Sequence, residues 1–534
     1  MSHLVEELPA QKARRIAAGE SLHLATTDAR EELADALARE GFRRCDDVAG
    51  PVQGWYGVLK FRPFAAEDGP VRGTAVEVTV PDAFPFVPPR VYPSSQDRAE
   101  IVNGRTFDET YYEPGCGWHR DLDMAMCLFD EVDHVRLRWA DGAVLLEQAR
   151  AWLAADAAGW PDDAPALDLE RYLYPAADQR VVLYGPLEDR DGEILRLQAK
   201  QNGVLRLGRS ASQVRSGSRQ RHRRWGAEAV LVLAAGELTS PIRHWADLLA
   251  AVGTDRAEQL IRAQRAGLTR VLVTYTRRDL PAALALELSA SVDGEVQLRA
   301  MRAAPDDLAT RQIRAGVGAE MLGTRRIAVV GVGAIGSIVA DLLHRGGVGH
   351  LHLIDADRVL PGNTTRHLLG NATVGRWKAS AVAEALRVAR PHSGEITSAV
   401  ENVDTPLGAI EVLAAFDVVV DATADSTATA LLTAAARAGA GQLLSVYVLA
   451  DGYAVRVDHT PAPNGQAQLP TPVLPPPVPT VYEAGCGSPV STTSPAAAWE
   501  AAAIAARHAV ALLLNPQSVP AGEERRLLPE TGPR

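Results

Sequence analysis

Cysteine is nearly absent from this chain, which has four among 534 residues and no C-x-x-C pair. So few thiols over that length do not make the disulfide framework of a small secreted scaffold. Nor is there a run of about 18 uncharged apolar residues, the length a membrane span needs. The opening residues, MSHLVEELPAQKARR, hold no apolar signal core, and these absences together lead to the expectation of a soluble, cytosolic protein with no membrane partner. An excess of positive charge is also missing. The formal net charge is −11, which argues against nucleic acid as a partner and leaves any charged partner to be bound locally.

What the chain does have is enough apolar residue (47%) and length for full cores in about three domains, at about 150 residues each. Its organising stretch is IAVVGVGAIGS at Ile327–Ser337, followed by LHLIDADRVLPGNTTRHLLGNATVGRWK up to Lys378. An apolar β-branched run enters Gly331, Gly333 and Gly336, a helix-like stretch follows, and a second run ends in Asp355. This is a strand–glycine turn–helix–strand unit, and such a turn lets backbone N–H groups approach phosphate at a helix N-terminus while the later acid accepts a ribose hydroxyl. Glycines in a tight turn also have a purely structural use. The residues after Asp355 narrow the reading. Hydride transfer needs no cations at fixed distance there, whereas cleavage of ATP between its α- and β-phosphates needs charge stabilisation around a departing pyrophosphate. Asp357, Asn363, Arg366 and Lys378 supply the groups.

The string D-x-D-x₅-N-x-x-R-x₁₁-K resembles the ThiF-type adenylation domain of the ubiquitin-activating superfamily, which includes the sulfur-carrier activators. The resemblance extends over roughly residues 305 to 515, with Arg311-Gln312 matching the Arg-Gln of that family's leading helix. It implies ATP and Mg²⁺, with Asp355 on ribose, the glycine turn, Arg366 and Lys378 on phosphates, and Arg311 reaching across a homodimer. The run FDVVVDATA ends in acids, of which Asp425 is the first choice and Asp421 the alternative for the metal; either could instead cap the next helix. Lacking C-x-x-C pairs, the chain departs from the sulfur-carrier activators, and no zinc is expected. After a proline-rich stretch (461–482), Cys486 sits between glycines, ahead of an alanine-rich helix from Ser494-Pro495 to Leu514. The resemblance makes it the cysteine that takes the acyl group.

The N-terminal part reads as a capped helix from Thr26, with Leu33, Leu37 and Phe42 on one face and Gly41 at its end, then β-like runs Trp55–Phe61 and Gly73–Val80. Next comes FPFVPPRVY (84–92), whose prolines place it at a sheet edge or outside the sheet. This run, followed by Met126-Cys127-Leu128, Trp139 and the helix VLLEQARAWLAA, resembles the ubiquitin-conjugating enzymes over residues 20 to 155. The resemblance makes Cys127 the thioester cysteine, with Cys116 as fallback. It also points to His119, near where that family keeps a His-Pro-Asn motif, or to His134, as the assisting group. Pro and Asn are missing here, and the asparagine is the family's oxyanion stabiliser.

Asp156–Leu169 reads as a linker, and residues after it as a small α/β spacer with strands in RVVLYG, AVLVLAA, TRVLVTYT and LALELSASV and one helix around Asp255–Ala266. The arginine-rich Arg206–Arg224 reads as a solvated flexible loop. The expected architecture is therefore multidomain α/β: an α+β conjugating-like fold over 1–155, a spacer over 156–300, and a Rossmann-like adenylation domain with a mostly parallel sheet over 301–534. The whole resembles the fused conjugating–activating enzymes of bacterial anti-phage (CBASS) operons. That implies a protein donor with a free C-terminus, a cGAS-like nucleotidyltransferase, joined to an acceptor amine. The alternatives are a separate ubiquitin-like modifier, a sulfur-carrier-activating adenylyltransferase, a Rossmann dehydrogenase and a non-catalytic scaffold.

Overall fold

The chain divides into two units, Met1–Pro305 and Asp306–Arg534. The computed structural model describes residues 26–45, 53–63, 70–104, 110–115, 117–130, 133, 136–160, 167–200, 202–211, 214–215, 223–290, 295–390, 393–475, 481–482 and 489–527. Cys116, His134 and Cys486 lie outside them.

Among the described residues the first unit holds two large sheets and one two-stranded pair. Strands Arg43–Cys45, Gln53–Phe61, Arg72–Val80 and Arg90–Pro93 pair antiparallel in chain order. The proline-rich run is the edge of this sheet: only Arg90–Pro93 pairs, and Trp139, fully buried, donates its indole N–H to the Pro85 carbonyl at 2.6 Å. The helices 26–39 and Gly142–Ala157 close the core with Leu33, Leu37, Leu145, Leu146 and Leu153, the apolar stripe that their period requires.

The stretch read as a small spacer, with Ala303–Pro305, forms an eight-stranded sheet. Its eight strands run, in spatial order, Val296–Met301, Leu280–Ala290, Arg270–Arg277, Ala229–Glu237, Ile194–Lys200, Val204–Ser210, Val181–Tyr184 and Ala303–Pro305. The α-helix Trp245–Arg265 starts ten residues before the expected one and bends at Gly253, φ 75°. Arg206–Ser210, expected in a loop, is strand. Only Leu205 is fully buried in Val204–Ser210, so its arginines and glycine gave it the look of a loop. Residues 214–215 pair with 223–224, and 216–222 lie outside the described residues.

The second unit is a seven-stranded sheet in the order Glu395–Ala399, His350–Ile354, Arg326–Val330, Val418–Asp421, Leu443–Leu449, Ala454–Thr460 and Gly522–Arg526. The first five are parallel and the last two antiparallel. Ile327 and Val329 pack under the helices Gly336–Arg345, Lys378–Ala389 and Pro495–Leu514, while Ala328 and Val330 face Pro406–Ala415 and Ser426–Arg437. Burial on both faces is why these strands are continuous apolar runs. Pro495–Leu514 is the one described helix long and apolar enough to cross a membrane; eleven of its residues are buried in this core.

Candidate functional site

In an open parallel sheet, ligands bind beyond the carboxyl ends of the strands where the strand order reverses. Here that point lies between Arg326–Val330 and Val418–Asp421, and the glycine turn leaves the first of them. Gly331 has φ 80°, and a Cβ on it would lie 2.5 Å from Thr423 Cα. One on Gly336 would lie 1.9 Å from the Gly331 carbonyl oxygen. Both glycines are demanded by the fold. Gly333 is different: apart from its chain neighbours, no atom of the described residues lies within 4 Å of where its Cβ would be, so its bareness leaves backbone open at the head of the ten-residue helix Gly336–Arg345, where an anion is favoured.

Asp355 braces this turn. Its Oδ2 accepts from the Val332 N–H at 2.7 Å and its Oδ1 from the Asp357 N–H at 2.8 Å. Asp357 then pairs through Oδ2 with Lys378 Nζ at 2.9 Å, and its carbonyl accepts the Lys378 N–H at 2.9 Å. The Asp357 side chain is 75% exposed, so this pair adds at most about 1 kcal/mol of stability and serves mainly to orient the ammonium. Asn363 accepts from the Leu360 N–H at 2.9 Å and so caps its own short turn. Arg366 donates to the carbonyls of Ser491 and Thr493 at 3.1 and 2.9 Å, fastening the segment that enters the last helix. His367, which sequence reasoning passed over, is buried beneath the turn. Its Nε2 donates to the Val332 carbonyl at 2.8 Å and its Nδ1 accepts the Leu369 N–H at 3.1 Å; burial lowers its pKa and keeps it neutral.

The two candidate metal carboxylates are used differently. Asp421, 2% exposed, accepts from the Thr423 N–H, the Thr423 hydroxyl and, at 2.6 Å, the Thr429 hydroxyl. Asp425 is exposed and caps Ser426–Arg437, its Oδ1 accepting from the Thr427 and Ala428 N–H groups at 2.8 Å each. Among the described residues no three His, Cys, Asp or Glu side chains gather to hold a metal. Any Mg²⁺ here would take most of its ligands from nucleotide phosphates and water, its usual habit.

In the first unit, Cys127 lies on a loop held by the edge strand. The Met126 N–H donates to the Val91 carbonyl at 2.8 Å, Arg90 binds both Asp121 and Asp123, and Tyr92 donates to Asp123 at 2.9 Å. Burial would raise the Asp123 carboxyl, but the Arg90 and Tyr92 hydrogen bonds carry it below the ordinary value. The His119 carbonyl accepts from the Cys127 N–H and from Trp152 Nε1, both at 2.9 Å, while its imidazole lies against the Trp160 ring, centroids 4.1 Å apart. The side chain that reaches the sulfur is Arg171, whose Nη2 stands 3.1 Å from Cys127 Sγ, with Asp121 Oδ1 3.8 Å from Sγ. Burial raises the thiol pKa, Arg171 pulls it down, Asp121 adds to the rise, and the net shift is upward.

Residues 308–523 match the model of the ThiF family. This region is a ThiF domain. The match bears out the resemblance drawn from the D-x-D-x₅-N-x-x-R-x₁₁-K string, and so do the relatives. A stretch of 148 residues is 36% identical to the ATP-dependent ubiquitin transferase-like protein Cap2 of Vibrio cholerae serotype O1, covering 26% of this chain and 24% of that protein. Another, of 97 residues, is 37% identical to ubiquitin-like modifier-activating enzyme 5 of Drosophila ananassae, covering 17% and 24%. The chain thus spans about a quarter of these relatives' lengths. Among solved structures, the E. coli tRNA N6-threonylcarbamoyladenosine dehydratase TcdA in complex with ATP is 27% identical with a TM-score of 0.26, covering 28% of this chain and 64% of that one.

Within the ThiF domain, Arg311 stands apart from the other cofactor-binding candidates. It pairs with Asp306 and lines a cleft of about 180 Å³ with Gly323, Gly349 and Gly394. Those glycines precede strands whose opposite ends carry the glycine turn. The ThiF domain therefore brings Asp355, Asp357 and Lys378 into one chain of contacts with the turn, ties Arg366 to Ser491 and Thr493, and leaves Arg311 at the amino ends of the strands.

Proposed function

We propose that this protein activates the C-terminal carboxylate of another protein with ATP and joins it to an amine. The observation that carries the reading is the ThiF domain whose switch point holds the open Gly333 backbone beside the Asp355–Asp357–Lys378 chain. A carboxylate is a poor acyl donor, and an acyl adenylate supplies the leaving group. In this reading the glycine turn, Arg366 and Lys378 hold phosphates, Asp355 and Asn363 orient the nucleotide, Asp357 holds Lys378, and Arg311, at the far end of its own sheet, serves the site of a second copy. Mg²⁺ neutralises phosphate charge, with Asp425 as the carboxylate nearer solvent; Asp421 is already saturated by three donors.

Cys486 takes the acyl group as a thioester, Cys127 receives it by exchange, and an acceptor amine ends the sequence. The donor in this reading is a cGAS-like nucleotidyltransferase, as the resemblance to the fused enzymes of anti-phage operons implies. The likeness to a ubiquitin-like modifier-activating enzyme favours, as a second reading, a separate small modifier. The conjugating-like character of 1–155 rests on the edge-strand run, on Trp139 against Pro85 and on the placement of Cys127.

The test is donor-dependent exchange of labelled pyrophosphate into ATP, run with each class of donor. Arg366→Ala should lower exchange by about 10²-fold or more through lost charge stabilisation. Asp425→Asn keeps the helix cap and should also lower exchange at unchanged melting temperature, whereas Asp425→Ala loses about 1 kcal/mol of stability besides. Exchange that is indifferent to all three substitutions would overturn the assignment, and NAD⁺ reduction in its place would overturn the reading.

A further inference from the structure

Arg171 belongs to none of the motifs above. It sits on the short turn Leu169–Tyr172, 44 positions after Cys127 and beyond the conjugating-like stretch. Leu169, Tyr172 and Leu173, all buried, anchor that turn in the core of the eight-stranded sheet. Tyr172 is clamped further: its hydroxyl accepts from the His119 N–H at 3.3 Å, Trp118 meets its ring edge-on at 6.0 Å, and Arg243 lies 4.5 Å above it. A guanidinium carried by so fixed a turn is presented to the sulfur rather than drifting past it. Beside it opens a cleft of about 440 Å³ lined by Arg90, Asp121, Leu122, Asp123, Arg171 and Tyr174, which contains both charged groups that stand at the sulfur.

We propose that Arg171 is the residue that assists Cys127 as a nucleophile: its guanidinium stabilises the thiolate as it forms for attack, and again as leaving group when the acyl passes on. The assignment rests on the function proposed above for Cys127. In the exchange, Sγ bonds to the carbonyl carbon of the incoming thioester and the carbon–sulfur bond to the donor breaks. The Cys127 proton goes to solvent and the departing thiolate takes one back, so a thioester and a thiol give a thioester and a thiol. Among the described residues the charged groups at the sulfur are Arg171, which favours thiolate, and Asp121, which opposes it. Asp121 is itself held at 2.9 Å by Arg90 and lies 3.8 Å from Arg171, so its charge is largely answered from both sides. Because the site is half-buried, with burial itself favouring the thiol, a close cation is what offsets part of the cost of the charged form.

The test uses the full chain with Cys45→Ala, Cys116→Ala and Cys486→Ala, so that Cys127 alone reacts, and follows iodoacetamide alkylation by intact mass from pH 6 to 10.5. Arg171→Met should move the midpoint of the rate–pH profile up by about one unit or more, which is about a tenfold loss of rate at neutral pH. Arg171→Lys should stay near the parent, and Asp121→Asn should move the midpoint down. Unfolding would bring a variant down toward the ordinary thiol value of about 8.5, because burial raises the parent thiol, so the upward shift in Arg171→Met excludes it. Midpoints that coincide for the parent and Arg171→Met overturn the proposal. Alkylation needs neither ATP nor donor, so a chain that conjugates nothing would count against the proposed function and leave this measurement decisive.

Discussion

At the scale of single residues, the glycine turn separates what the fold needs from what a ligand needs. Gly331 and Gly336 are fixed by backbone atoms within 2.5 and 1.9 Å of an added Cβ, and Gly333 by nothing among the described residues beyond its chain neighbours. Gly336→Ala should therefore cost on the order of 3 kcal/mol or more, seen as a large drop in the melting temperature of the ThiF domain, because carbonyl and Cβ cannot share the space. Gly333→Ala should melt within about 0.5 kcal/mol of the parent yet bind ATP about tenfold more weakly in calorimetric titration, its methyl standing where phosphate approaches. Equal ATP affinity in Gly333→Ala would mean that this backbone is not part of the nucleotide site. The same scale shows how one acidic residue does different work from another: Asp355 braces the turn, Asp421 is buried under three donors, and Asp425 caps a helix.

At the scale of elements, the antiparallel end of the sheet carries a buried pair of histidines. His459, on Ala454–Thr460, meets His508 of the last helix at 2.9 Å, and His508 Nε2 reaches Glu523 of the edge strand at 3.0 Å. His459 is fully buried, and burial, then His508, lowers its pKa to about 4. Its folded value lies below the unfolded value of about 6.5, so the unfolded chain binds more protons between the two. Stability from this group is whole above pH 6.5 and is lost as pH falls toward 4. Between pH 7 and 5 the loss should be about 2 kcal/mol, measured as amide exchange of Ala454–Thr460 in a urea series at each pH. His459→Leu should remove that part of the slope; a slope unchanged by the substitution would show that the loss arises elsewhere.

For the whole molecule, the order of the two thiols is the consequence to test. Cys486 belongs to the ThiF domain and Cys127 to a unit without a nucleotide motif, so the acyl group is expected on Cys486 first. Cys486→Ala should keep pyrophosphate exchange and form no reducible thioester, and Cys127→Ala should accumulate thioester on Cys486 and fail to conjugate. Non-reducing gels with and without thiol reductant read both, and a mixture of the two variants detects transfer between copies. Normal conjugation by Cys127→Ala would reduce the first unit to a binding module.

Much of this was legible in the chain because it is written in local physics. An apolar run into spaced glycines means a strand–turn–helix, Ser494-Pro495 means a helix start, and prolines in FPFVPPRVY exclude a central strand; each signal acts over a few residues, where periodicity, capping and φ restriction operate. The D-x-D-x₅-N-x-x-R-x₁₁-K string added its family through spacing alone. Tertiary structure decided the rest. Strand Val204–Ser210 looks like a loop because one face is solvent and only its neighbours in the sheet hold it there. Asp421 and Asp425 are both candidates in the sequence, and what packs around each decides how it is used. His367 under the turn and Arg171 against Cys127 carry no local mark at all, because what places each of them is burial of residues elsewhere in the chain, and side-chain contact across 35 or 44 positions is selected by packing of the whole unit.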